Sequence, residues 1–479
     1  MSVQSAGAQS ANGKTLRRSS LPMSLVVFQS FANIAPAAVV GIFLTGIAGI
    51  SLGSMPLVVL LTFVLFFISL NANYQFSKHI VHAGGYYAYV GSAFNKSAGF
   101  FAGMFYVMNG ITGGAAFGFL QFAVFAYFLF PQLSAIAFSW LPFVIVSIVF
   151  VTVITYVGIR PNLLYATVTG IAESAVLYIG AIALIVLAGP GNTTSVFTPA
   201  YIGNNTNILF LAVVFNILSF VGAGSVITLS EEAKEPKKNI GRAFILVIFL
   251  GVLPIILSAY ALTVTYGPKL MSSFGSQADP GYFIYLNHLG APMAYLLAIF
   301  VMNSALSVGI AIYNATSRTL FGMAREGMLP GFFNHIHPRF RTPTRLILMM
   351  AIVDIILAFA AVSAFGLFDG FFVLATVTAV PVLLAHLLAN FSLPFYSRRK
   401  GIRVTPGVLL THYVVPLVTV VMFIIAIRYA IWPLPEWPYL IAPIAAAIWA
   451  VIVFAIVLYM RATRPHVTSN SVVNADTEI

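Results

Sequence analysis

Runs of about 20 or more apolar residues recur along nearly the whole chain, and a water-soluble core has no use for them. A helix needs about 20 such residues to cross a hydrocarbon core of about 30 Å. Inside that core every backbone N–H and C=O must be paired within the protein, so repeated apolar runs of this length specify helices. Spans fall at 23 to 50, 55 to 77, 97 to 129, 138 to 157, 162 to 188, 207 to 230, 242 to 266, 291 to 321, 345 to 363, 367 to 390, 411 to 432 and 438 to 460. The expected fold is an all-α integral membrane protein with 12 transmembrane helices. Only 7% of the residues are charged, against roughly a quarter in an average soluble domain.

The net charge of +12 could suggest a nucleic-acid partner, but the positions of the charges carry more information than their sum. With a cytoplasmic N-terminus, every one of the 23 Lys and Arg residues except Lys269 and Arg428 falls on the cytoplasmic side of the expected spans. Cytoplasmic loops of membrane proteins are enriched in basic residues, so the pattern supports the span count and places both termini in the cytoplasm. Nucleic acid is then an unnecessary partner and the lipid bilayer a necessary one. Cysteine is absent, which removes disulfides and thiolate chemistry. No cleavable leader is expected, because residues before Leu21 hold no apolar core and the first span must itself start insertion.

Two spans are interrupted near their middles. The first holds Asn33-Ile-Ala-Pro-Ala-Ala38 and the sixth Ser219-Phe-Val-Gly-Ala-Gly224. Proline removes a backbone donor and clashes with the preceding turn, and each glycine costs about 1 kcal/mol relative to alanine inside a helix. The interruptions lie five spans apart, an odd number, so the sixth span enters the membrane from the face opposite to the first. A five-plus-five inverted repeat follows, with discontinuous helices 1 and 6 and two accessory helices. Interrupted helices at matching positions of inverted halves point to a transporter's midplane binding site.

The loops carry a family likeness. His82-Ala-Gly-Gly-Tyr-Tyr-Ala-Tyr89 resembles the Pro-x-Gly-Gly-x-Tyr segment of the amino acid, polyamine and organocation (APC) transporter superfamily. Glu231-Glu-Ala-Lys-Glu-Pro-Lys-Lys-Asn-Ile-Gly-Arg242 resembles its Glu-Glu-x-x-x-Pro-x-x-x-Ile-Pro-x-Ala loop. Asn314-Ala-Thr-Ser-Arg-Thr-Leu-Phe-Gly-Met-Ala-Arg-Glu-Gly-Met-Leu-Pro330 is similar to its signature after the eighth helix. The likeness covers roughly residues 23 to 400 and is to prokaryotic-type amino acid permeases. His82 and Gly241 stand where the family often has proline, and Gly224 where many members have an acidic residue. The expected organisation is a disordered cytoplasmic N-terminus at 1–22, a ten-helix transport core at 23–390, accessory helices 11 and 12 at 391–461, and a cytoplasmic tail at 462–479.

A free amino acid brings a carboxylate and an ammonium, both costly to strip of water, so its site must replace hydration with fixed dipoles. A half-helix starting after Pro36 offers the N–H groups of Ala37, Ala38 and Val39 at its positive end, suited to the carboxylate. A half-helix ending near Ser219 offers the carbonyls of Ser219, Phe220 and Val221 to the ammonium, assisted by those of Asn33 and Ile34. Small residues at Ala35, Ala37, Ala38, Gly222, Ala223 and Gly224 permit close approach. The resemblance assigns the same two segments to amino-acid binding. Asn109, Thr112 and Asn303 are candidate polar lining, and Phe220 a candidate gate over the ligand.

Ionisable residues inside spans are few and therefore informative. Glu173 lies about 16 Å into the fifth span, near the midplane. Several proton-coupled relatives have a lysine at the aligned position; a glutamate here would take up a proton or attract a cation, with Ser304 and Ser307 beside it. Asp354 lies on what resembles the outer scaffold, Arg428 can snorkel to the surface, and His386 reads as a packing residue.

These features exclude an enzyme, since no metal cluster or activated nucleophile with its base can be assembled, and a channel, since no ring of like charges lines a pore. No cofactor, metal or obligate protein partner is expected. The expected function is secondary active transport of amino acids across the cell membrane by alternating access, through proton-coupled symport or exchange, with Na⁺ as the other coupling ion to consider. Neutral substrates are expected because helices 1, 3, 6, 8 and 10 bring no acid to the pocket. A polyamine or organic-cation carrier, or a sensor with a transporter fold, is the alternative.

Overall fold

The computed structural model describes residues 15–277, 279–432 and 434–472. Among them the chain is helical almost throughout, with no strand beyond a single bridge between Leu21 and Ala233. Ten helical runs are long and apolar enough to cross a membrane. The first, Met23–Ser77, holds α1 (Met23–Ile34) and, after a turn at Leu52, α2 (Met55–Ser77). Then come α3 (Lys96–Leu129), the 17-residue α4 (Leu141–Val157), α5 (Ile159–Ala188), α6 (Thr206–Asn216), α7 (Pro236–Tyr266), α8 (Ala291–Arg325), α9 (Thr344–Phe365), α10 (Leu367–Arg399), α11 (Pro406–Ile431) and α12 (Ile441–Thr463). The short turn expected between the ninth and tenth spans is made by Gly366 at φ 80°. Past it α10 runs to Arg399, beyond the expected end at 390, so its last turns carry the basic residues Arg398 and Arg399.

Burial sorts these helices into an inside and an outside. From Ser304 to Ala324, α8 is buried almost without interruption, while α5 and α12 expose Leu164, Val168, Ile179, Val186, Ile448 and Val451. Apolar surface on this scale would be an aggregation liability in water and is the natural exterior in lipid.

Both interruptions sit in the interior. α1 stops at Ile34, Ala35 takes left-handed geometry (φ 54°, ψ 63°), and helix resumes at Pro36. Proline disfavours helical geometry in the residue before it, which explains the position of the break. α6 tightens into a 3₁₀ turn at Ile217–Ser219, breaks at Phe220 (φ −121°, ψ −8°), and continues as a 3₁₀ helix over Val221–Leu229. Of the stretch 219–224, where the interruption is expected, only Phe220 leaves helical geometry, and the rest is helical in the tighter form. The two breaks touch: a Cβ on Gly222 would lie 2.2 Å from the backbone carbonyl of Asn33, so only glycine permits the approach.

The three loop segments that carry the family likeness converge on one face. The N–H of Ala83 donates to Glu231 Oε1 (2.7 Å), and that of His82 to Ser230 Oγ (3.0 Å). Arg325 forks onto both oxygens of Glu231 (2.8 and 2.6 Å), Arg318 onto Glu232 (2.5 and 3.3 Å), and Lys96 pairs with Glu326 (2.6 Å). Arg318 and Glu232 are both fully buried.

The chain ends depart from expectation where they are described. Instead of being disordered, residues 15–22 lie along this face, Ser20 and Leu21 donating to the Glu232 carbonyl (2.8 and 2.9 Å) and Leu16 and Leu21 buried. The arm is seated by its own N–H groups on the carbonyls of Glu231 and Glu232 and by the Lys234 N–H, which donates to the Leu21 carbonyl (2.8 Å). At the other end, Asn470 accepts from the Lys96 N–H (2.8 Å) and Val472 is buried against Gly91. Residues 1–14 and 473–479 of the two expected tails lie outside the described residues.

Two outcomes follow from the charged face. Arg318→Met leaves Glu232 unpaired with no exposure and costs roughly 3–5 kcal/mol, read as a lower unfolding midpoint in detergent, whereas Arg318→Met with Glu232→Leu recovers most of the loss. Burial alone would raise the Glu231 carboxyl, but the Arg325 fork and charge hold it down at about 2, below its ordinary 4.5. A depressed carboxyl stabilises fully above its unfolded value, so stability is expected to fall as pH drops from 4.5 toward 2, with a shallower fall in Glu231→Gln.

Candidate functional site

Where α1 breaks, its second half begins with amides that have no helical partner, and in a membrane interior each must be satisfied by something else. The Val39 N–H is met by the Ala35 carbonyl (3.0 Å). The Ala37 N–H donates to Glu173 Oε1 on α5 (2.8 Å). The same oxygen accepts from Ser304 Oγ on α8 (2.8 Å), while Asn303 Nδ2 donates to Oε2 (3.4 Å) and is itself oriented by the Tyr165 hydroxyl on its carbonyl oxygen (2.6 Å). Glu173 thus caps the positive end of the half-helix and ties α1, α5 and α8 together. The expectation that Ala37 and Val39 offer free N–H groups to a ligand does not hold in this arrangement, because the Glu173 carboxylate and the Ala35 carbonyl already take them.

The α6 side is held by hydroxyls. Ser30 Oγ donates to the Ala223 carbonyl (2.7 Å) and accepts from the Val226 N–H (3.2 Å), and Ser225 Oγ reaches the Gln29 carbonyl (3.3 Å). Ser219, at the end of the tightened turn, is buried with its hydroxyl unpaired.

Between the two breaks lies a cavity of about 40 Å³, room for a few waters. Of the expected site residues, Asn33, Ile34, Ala35, Ala38, Val39, Asn109, Ser219, Val221 and Gly222 line it. Pro36, Ala37, Ala223, Gly224, Thr112, Asn303, Glu173, Ser304 and Ser307 do not. Thr112 instead bonds the Met108 carbonyl one turn back (2.9 Å), and Gly224 backs onto Tyr86 and Asn73. Phe220 points away, packing with Phe63, Phe66 and Val247 between α2 and α7, so it does not cover the cavity.

Sequence reasoning missed Gln121 and Thr378 among the polar lining, and Phe43, Phe117, Val308 and Ile312 among the apolar. An isolated Gln or Thr within an apolar run is a usable signal for the first two. The apolar four carry none that separates them from packing residues. No acidic side chain lines the cavity.

The other buried ionisable groups stand apart. Asp354 on α9 lies against the α3 backbone at Gly114 and faces the Tyr313 hydroxyl of α8. His386 on α10 meets the Tyr86 hydroxyl (2.9 Å), which also accepts from Asn73 Nδ2 (2.9 Å).

The Amino acid permease family profile matches residues 26–469. The low-affinity putrescine importer PlaP of Escherichia coli (strain K12) is 23% identical over 359 residues, covering 74% of this chain and 77% of the importer. The methylthioribose transporter of Bacillus subtilis (strain 168) is 30% identical over 202 residues, covering 42% of this chain and 41% of the transporter. Cationic amino acid transporter 5 of Arabidopsis thaliana is 24% identical over 364 residues, 73% of this chain and 59% of the plant protein. With a family match over nearly its whole length and helices suited to a bilayer, the chain is a multi-pass membrane transporter, not an enzyme, and belongs to the amino acid permease family of the APC superfamily.

Proposed function

We propose that this protein is a secondary active transporter of neutral amino acids in the cell membrane, working by alternating access with 12 spans in a five-plus-five inverted repeat, both termini in the cytoplasm. The observation that carries it is the cavity where two broken helices touch, lined by residues of both breaks and by apolar side chains, with no carboxylate on its wall. The substrate's ammonium would be received by the carbonyls of Asn33, Ile34 and Ser219, and its carboxylate by the half-helix beginning at Pro36. Phe43, Phe117, Val308 and Ile312 would surround its side chain. At about 40 Å³ the cavity must widen to admit substrate, which the paired hinges at Ala35 and Phe220 allow.

Putrescine and cationic amino acids, named for two relatives, are the second reading. A diamine would bury a second ammonium against an apolar wall without a counter-charge, at a cost of several kcal/mol. Uptake into proteoliposomes should therefore favour labelled neutral amino acids over lysine, arginine and putrescine, and selective uptake of a cation overturns the preference.

Coupling would run through Glu173. Its carboxylate and the substrate's compete for one positive helix end, and two carboxylates there repel, so protonating Glu173 frees the Ala37 N–H and strengthens substrate binding. Two donors already converge on Oε1, a poor arrangement for Na⁺, which needs several converging oxygens. Glu173→Gln keeps the size and mimics the protonated state. It should retain binding and exchange, with affinity independent of pH, and lose accumulation driven by a pH gradient. Accumulation that survives in Glu173→Gln and fails in Asp354→Asn would show that the other carboxylate does the coupling.

A further inference from the structure

On the face that holds the charged network, away from the central cavity, the arm at 15–18 and the loop before α9 enclose a cleft of about 440 Å³. Its walls carry Arg17, Arg18, Arg339 and Arg341, with Thr15 and Phe340 between them, and no acidic side chain. None of the four arginines has a carboxylate partner among the described residues. Two of the arginines are nonetheless held in place. Arg341 keeps left-handed backbone geometry (φ 56°), its N–H donating to the His337 carbonyl (2.9 Å) and its guanidinium to the Thr15 carbonyl (3.4 Å). Arg339 lies 5.5 Å from the ring of Phe340, which packs on Tyr156.

Four guanidinium groups facing one space without a counter-charge repel one another, and each presents a planar fork of donors suited to phosphate oxygens. The depth of the cleft narrows the source. α1 begins at Met23 and α9 at Thr344, so both walls stand within a few residues of where an apolar helix enters the membrane. That is the level of lipid headgroups, where each basic side chain adds to the attraction for an anionic surface.

We propose that this cleft is a binding site for a phosphate group, carried by an anionic phospholipid or by a soluble phosphate. Occupancy would fasten the arm that donates, through Ser20 and Leu21, to the backbone of Glu232, and so favour the arrangement in which Glu232 and Arg318 are paired. The site is independent of the substrate reading, since no residue of the central cavity takes part.

The test follows the unfolding midpoint of the full-length protein in neutral phosphatidylcholine nanodiscs, titrated in one arm with phosphatidylglycerol and in the other with inorganic pyrophosphate. The expected result is a saturable rise in at least one arm; response to the lipid alone identifies a headgroup site, and response to both a general phosphate site. Arg18→Gln with Arg339→Gln, exposed residues outside the helices, should raise the half-saturating concentration roughly fivefold per arginine. Arg17→Gln alone serves as the second variant. Lys400→Gln with Arg403→Gln, basic residues at another loop, should leave the titration unchanged. No saturable response in either arm, or equal weakening by the Lys400 and Arg403 pair, overturns the site.

Discussion

One carboxylate oxygen, Oε1 of Glu173, receives the Ala37 N–H and the Ser304 hydroxyl, each at 2.8 Å, at the point where α1 leaves helical geometry. Breaking a helix inside a membrane strands backbone groups that lipid cannot satisfy. Without a cap, the left-handed turn at Ala35 would add its own strain to that penalty. Glu173 meets the stranded amide and fixes α1 against α5 and α8, and the broken helix then leaves room for Gly222 to approach the Asn33 carbonyl. A carboxylate in this position is held by donors that a proton, or a second carboxylate, would disturb. The group that stabilises the break is thereby also suited to sense what binds beside it.

Around this centre, polarity is distributed by location. Lipid faces of α5 and α12 are apolar, the interior joins Gln29, Asn162 and Asn314 by side-chain amides, and the ion pairs among the described residues gather at one end of the bundle. There Glu231 and Glu232, beyond the 3₁₀ segment that follows the α6 break, pair with Arg325 and Arg318 on α8. A movement of α6 about its break must therefore either carry these pairs along or part them. Parting a fully buried pair is costly, so the charged face resists opening and the central break supplies the freedom to move.

Much of this was legible in the sequence because the causes are local. Apolar runs set the helices, Pro36 set the first break, and the glycines after Phe220 marked the second. Less legible was anything decided by side-chain direction. Phe220 sits within the expected site but turns toward α2 and α7, since a residue beside a break can face either way. Gly222 to Gly224 looked like an unwound stretch, yet continue as a 3₁₀ helix packed on Ser30. The bond between Glu173 and Ala37 joins residues 136 positions apart, and nothing in either local sequence encodes it. The arm at 15–22 read as disordered from its polar composition. Two buried leucines, the carbonyls of Glu231 and Glu232 and the Lys234 N–H hold it in place.

The central claim is that the two helix breaks together bind the charged ends of an amino acid. A density map of the protein saturated with a transported neutral amino acid tests it most directly. The account predicts the substrate between 33–39 and 219–222, its carboxylate against the amides that follow Pro36 and its ammonium against the carbonyls of Asn33, Ile34 and Ser219. Substrate density elsewhere in the bundle, with both breaks unengaged, would contradict it.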